Sequence, residues 1–106
     1  MLLAFTTVES LDAAEMLARG AVEARLAACV QIDNPVLSFC RWQGQVERTV
    51  ESRLVFKCVP ERLSQLEAWV LSRHPYETPE WLVVPAEHVG EKYLSWALAN
   101  SIPAPS

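Results

Sequence analysis

Glycine is scarce in this sequence, with three in 106 residues (Gly20, Gly44 and Gly90), each isolated. A Gly-rich loop that cradles phosphates has no material here, which lowers the odds of nucleotide binding. Cysteine is limited to Cys29, Cys40 and Cys58. No two of them fall at C-x-x-C spacing, so neither a zinc knuckle nor a thioredoxin-like site is written locally. Positive charge is also short, with nine Lys and Arg against thirteen Asp and Glu, a net charge of −4. That argues against nucleic acid and anionic lipid as partners, because both need a basic footprint, and it is compatible with cations. No apolar run reaches the length of a membrane-spanning helix, so no membrane partner is expected. Neither a basic n-region nor a cleavage site precedes the first apolar segment, so no secretory leader is expected. An odd number of cysteines without a leader reads as reduced thiols in a cytoplasm. Cys40 and Cys58 read as buried small apolar residues.

What is present is a globular chain. Hydrophobic residues make up 51% of it, enough for a core and too many for disorder. The length suits one domain over residues 1–106. Residues 2–8, LLAFTTV, read as a buried strand. Ser10 is placed to cap a helix running from about Leu11 to Leu26, with Asp12 in its first turn. Ala14, Leu17, Ala18, Ala21 and Val22 recur along it at helical spacing.

AACVQI, residues 27–32, is a second strand, and Pro35 predicts a bend or an edge position. Strand character resumes at VLSFCRW and turns at Trp42-Gln43-Gly44-Gln45. The returning strand, 45–58, carries Val46, Val50, Leu54 and Phe56 on one side and Glu47, Thr49, Glu51 and Arg53 on the other. Two strands this long form a ribbon that outreaches a compact body, and an isolated ribbon is marginal in water. The length therefore points to an oligomer built by strand pairing. Pro60 opens a second helix with Leu63, Leu66 and Val70 on its apolar stripe, and Pro75 ends it just after Arg73. Trp81 to Val84 is a short strand, Tyr93 to Leu98 fit a last helix, and the tail from Ile102 is expected to fray.

The order β-α-β-β-α-β plus a C-terminal helix is the ferredoxin-like α+β pattern, an antiparallel sheet with both main helices on one face. RNA-recognition domains share this class. The aromatic RNP pattern is missing and the charge is negative, so RNA is excluded.

ARLAACVQI, RWQGQV, LVFKC, HPYETPE and YLSWA occur in the order and spacing of the CutA divalent-cation tolerance family, which the chain resembles from about residue 2 to residue 100. The resemblance implies a tight homotrimer in which the long hairpins pair between subunits, an assembly similar to that of the PII signalling proteins. It also implies a link to tolerance of divalent cations, copper above all. In some members copper is assigned to a first-strand cysteine and two adjacent histidines before Pro-Tyr. Here Thr6 stands at the cysteine position and Arg73 precedes His74, so one of those three ligands remains. An arginine stays protonated and cannot ligate.

The candidate metal residues are His74, Cys29 and Glu77. Imidazole and thiolate suit copper or a soft divalent ion, and Glu77 and Glu80 can add oxygen. Each has a structural alternative: His74 as a helix end, Cys29 as a core thiol, the glutamates as solvated surface. Whether Cys29 and His74 meet is not written in the sequence. Lys57, Tyr76 and Trp42 are candidates to line an inter-subunit cleft. Lys57 is weighed against a cross-strand ion pair, which is preferred, and Trp42 against an interface anchor. Trp69, Trp81 and Trp96 read as core or interface, and His88 as surface.

Three functions compete. The first is a cytoplasmic trimeric metal-binding protein. The second is a PII-like sensor or scaffold for an unidentified small molecule or protein. The third is a thiol enzyme using Cys29 and His74, which needs the two in hydrogen-bond contact with an orienting third group and has no local signature. A non-enzymatic role is expected.

Overall fold

The computed structural model describes residues 1–103. The part of the tail at 104–106, expected to fray, lies outside the described residues. β1 (Leu2–Val8), α1 (Leu11–Glu23), β2 (Cys29–Trp42), β3 (Gln45–Cys58), α2 (Leu63–Arg73), β4 (Leu82–Pro85) and α3 (Glu91–Ala99) follow one another, with a 3₁₀ turn at Pro60–Arg62 before α2. The four strands form one antiparallel sheet in the order β2-β3-β1-β4.

Strand alternation divides the sheet into two faces. Ala4, Thr6 and Val8 of β1 and Ser52, Leu54, Phe56 and Cys58 of β3 are buried on one face. α1 and α2 cover it with Ala14, Leu17, Ala21, Leu66 and Val70, and most of these side chains form one core. The opposite face carries Leu3, Phe5, Val55 and Lys57, which the register sets beside Leu82, Val84 and Cys29. Leu82 and Val84 remain exposed there.

β1 pairs with β3 only over Ser52–Cys58, so the far half of the β2–β3 hairpin runs on past the body of the sheet. Its turn places Gly44 at φ 79° and Gln43 at φ 51°. Leu37, Phe39, Val46 and Val50 lie on this ribbon with large exposed side chains. Cys40 is also exposed, because the ribbon has no layer packed over it. That corrects its assignment to the core; Cys58 is buried as expected.

Several boundaries move. α1 ends at Glu23 and not Leu26, because Arg25 takes φ 60° and the chain turns to bury Leu26. Ser10 caps it as expected, its hydroxyl accepting from the Ala13 amide at 3.0 Å. Pro35 does not break the second strand. β2 is an edge strand, where a missing N–H leaves no ladder bond unmade, and a register shift between Asp33 and Val36 absorbs the irregularity.

Candidate functional site

The segment that follows α2 is held by its own side chains. His74 leaves the helix in an extended conformation, φ −69° and ψ 134°, as the residue before a proline prefers. Its Nδ1 accepts from the Tyr76 amide at 3.1 Å. Nε2 therefore carries the proton and donates to Thr6 Oγ1 at 2.9 Å. The Thr6 hydroxyl in turn donates to the Glu80 carbonyl at 2.7 Å. One neutral imidazole thus pins both ends of the 74–80 loop to the far half of β1, beyond the reach of β4. Burial pushes the His74 pKa below its usual range, against the opposing pull of the Thr7 backbone and the Glu51 carboxylate.

Tyr76 carries the loop over to the opposite face of the sheet. Its hydroxyl donates to Glu51 Oε2 at 2.7 Å. Burial first, and then this bond and the Glu51 charge, raise the Tyr76 pKa well above the phenol range. Glu51 is only 7% exposed, although it shares a side of β3 with Glu47, Thr49 and Arg53, the polar side of the alternation. Tyr76 covers it, which the sequence pattern does not reveal.

Between the loop and the ribbon lies a cleft of about 630 Å³. Five glutamates line it: Glu9, Glu47, Glu51, Glu77 and Glu80. Trp42, Tyr76 and Cys40 also contribute to its walls, and no lysine or arginine does. The site is anionic with an aromatic component. Like charges gathered around one space raise the local concentration of cations.

The sequence candidates distribute unevenly. Glu77, Tyr76 and Trp42 meet at this cleft. Cys29 does not. It pairs with Lys57 on the face away from the helices, whereas His74 bonds to Thr6 on the helix-covered face. The two candidate soft ligands lie on opposite sides of the sheet. Lys57 makes no ion pair among the described residues, contrary to expectation; its ammonium sits 5.7 Å from the Tyr93 ring centroid. The cross-strand pair forms instead between Arg53 and Asp33, at 3.1 Å. Arg73 lies over the Trp69 ring, 4.6 Å from its centroid, and takes no part in the cleft. Trp96 and His88 are exposed.

These residues do not fit a copper centre of cysteine–histidine design. Thr6 bonds to the imidazole instead of supplying a thiolate, and both His74 nitrogens are already engaged. Among the described residues, no three His, Cys, Asp or Glu side chains stand close enough together to hold a metal ion. Sequence reasoning missed Glu51, Glu9, Glu47 and the clasping role of Thr6. Those residues are far from the loop in sequence, and only the sheet register brings them to it.

Residues 2–100 match the family model described as CutA1 divalent ion tolerance protein. The divalent-cation tolerance protein CutA of Thermus thermophilus is 37% identical over 95 residues, covering 90% of this chain and 92% of its own length. The structure of CutA from Synechococcus elongatus superposes with a TM-score of 0.92 at 40% identity, covering 95% of this chain and 89% of that one. A CutA structure from Archaeoglobus fulgidus, described as a periplasmic divalent cation tolerance protein, gives a TM-score of 0.91 at 31% identity, with 96% and 100% covered. The chain spans 62% of the length of the Xenopus laevis relative and 52% of the mouse and human ones. By sequence over nearly its whole length, and by the fold it shares with these structures, the chain belongs to the CutA1 divalent ion tolerance family.

Proposed function

We propose that this protein is a non-enzymatic cation-tolerance protein that works in the cytoplasm as a homotrimer. It draws copper or another divalent cation, still hydrated, to the glutamate-lined cleft through the charge gathered there, and not onto a cysteine–histidine centre. The observation that carries this reading is the cleft itself, five carboxylates around one space with no basic residue among them. Carboxylate oxygen suits hard, exchangeable cations better than tightly held copper(I).

Assembly is supported by exposed apolar surface. Leu37, Phe39, Val46 and Val50 on the ribbon are each more than half exposed, and Leu82 and Val84 lie open on the uncovered sheet face. Apolar surface of this kind marks an interaction site. The cytoplasmic assignment rests on the three free cysteines, of which Cys40 is exposed and would be prone to oxidation outside the cell. The non-enzymatic reading rests on the separation of Cys29 from His74, which leaves no nucleophile–base pair between them.

A second reading, a PII-like sensor of a small molecule, is favoured by one feature. The cleft volume falls in the range of small-molecule sites and its walls include Trp42 and Tyr76. A thermal-shift screen with metals, nucleotides and small acids separates the two.

The main reading is tested by native mass spectrometry of reduced, metal-free protein titrated with copper and zinc. A trimer that takes up one ion per subunit is expected. Uptake is lost in the double variant Glu51→Gln/Glu77→Gln and kept in Cys29→Ser. A monomer, or uptake that depends on Cys29, overturns it.

A further inference from the structure

The β2–β3 ribbon carries different chemistry on its two sides. The register sets Leu37 opposite Val50, Phe39 opposite Arg48 and Arg41 opposite Val46, so these six side chains share one side. All six are exposed. Neither Arg41 nor Arg48 forms an ion pair among the described residues. Cys40, Trp42, Glu47 and Glu51 lie on the other side, where they belong to the ribbon wall of the cleft. One side is therefore apolar and basic, and the other is acidic with an exposed indole.

These two sides decide how copies of the chain can meet. An isologous contact sets a patch against itself. The apolar side against itself brings together two guanidinium groups from each copy, and the acidic side against itself brings together the glutamates of two clefts. Like charges facing one another oppose both contacts. Apolar side against acidic side has no such conflict. Each guanidinium then meets carboxylates, which its planar fork fits, and Trp42 offers a ring face for it to stack on. Such a contact is heterologous, and a heterologous contact repeated through a closing rotation makes a ring.

We infer that the apolar, basic side of the ribbon docks against the acidic cleft of the next copy of this chain, with Arg41 and Arg48 facing its glutamates. This inference rests on the homotrimer reading above and assigns the two surfaces that meet in it. Two arginines against five glutamates leave the cleft anionic, so it still draws cations. No covalent step is involved.

The test is thiol cross-linking of the full chain. Val46→Cys in a Cys29→Ser background puts the introduced thiol on the apolar side, with native Cys40 exposed on the acidic side and Cys58 buried. Alternation holds the two exposed thiols on opposite sides of one ribbon, so a short bismaleimide that joins them joins two copies. The expected products are covalent species up to the trimer, with peptide mapping that links position 46 to Cys40. Leu37→Cys repeats the test on the same side if the first variant does not assemble. Native mass spectrometry of the uncross-linked protein runs beside it. There Arg41→Glu/Arg48→Glu should raise the concentration needed for assembly by roughly tenfold or more, with circular dichroism unchanged. Three results overturn the inference: links of the introduced thiol only to itself, a trimer with no link to Cys40, or assembly indifferent to the arginine substitutions. If native spectra of the wild type still show a trimer, the homotrimer reading stands without it. A wild-type monomer at every concentration overturns both.

Discussion

Replacing His74 by alanine removes one side chain and two hydrogen bonds, one accepted from the Tyr76 amide and one donated to Thr6. Thr6 keeps its bond to the Glu80 carbonyl, so its hydroxyl is not stranded. The Tyr76 amide has no other partner in the loop. Each lost bond is worth about 0.5–1.5 kcal/mol, and a part-buried donor left unpaired raises the cost, for a total of about 2–3 kcal/mol. The loop can instead open locally and let water satisfy the amide, which limits the loss in global stability. The two routes are separated by measuring urea denaturation together with hydrogen exchange at the Tyr76 amide. On either route, protection of that amide collapses in His74→Ala. The effect also has a pH signature. A histidine whose folded pKa lies below its unfolded value of about 6.5 binds protons more readily when unfolded. Its contribution is fully present above about pH 6.5 and is lost as the pH falls through the folded pKa, where protonated Nδ1 can no longer accept from Tyr76. The wild type should therefore lose amide protection on acidification, and His74→Ala should lack that step. Equal protection in the two proteins at pH 8 would refute the clasp.

Three further substitutions probe the same framework. Tyr76→Phe leaves Glu51 without its donor and should cost about 1.5–3 kcal/mol in urea denaturation. Gly20→Ala sets a Cβ 2.6 Å from Cη2 of Trp69, a ring held under the Arg73 guanidinium, so overpacking of about 1–3 kcal/mol outweighs the helix-propensity gain, as a lower melting temperature would register. Gly44→Val forces a β-branched residue to φ 79°, which should cost about 1–2 kcal/mol and weaken the proposed homotrimer; a variant melting at the wild-type temperature would contradict this.

Much of the backbone was legible because it follows local rules. Ser10 caps α1, Gly44 turns the hairpin, Pro60 opens the turn into α2, and alternation marks β3. Pro35 lies in the edge strand β2 at a register shift, as its missing N–H leads one to expect. One local expectation failed for a non-local reason: Cys40 is exposed because the ribbon extends beyond the core. The site was less legible. His74 and Thr6 are 68 residues apart, and Tyr76 and Glu51 are 25 apart. No spacing rule links residues so distant. Glu51 looked like a solvent-facing member of an alternating strand, and only the loop that lands on it makes it buried. Cys29 and His74 could be proposed as partners because composition does not reveal which face of a sheet a residue occupies. Pairing Cys29 with Lys57 and Thr6 with Leu54 settles it, since Lys57 and Leu54 differ in phase along β3.

The most direct test of cation uptake by the cleft, with His74 as clasp and not ligand, is an imidazole ¹H–¹⁵N correlation spectrum recorded during a zinc titration of the reduced protein. The clasp keeps His74 in the neutral Nε2–H tautomer, with both ring nitrogen shifts unchanged while the glutamate carboxyl resonances of the cleft move. A zinc-dependent shift or loss of the His74 Nδ1 or Nε2 signal, with the glutamates unmoved, would show the imidazole ligating the ion and would contradict it.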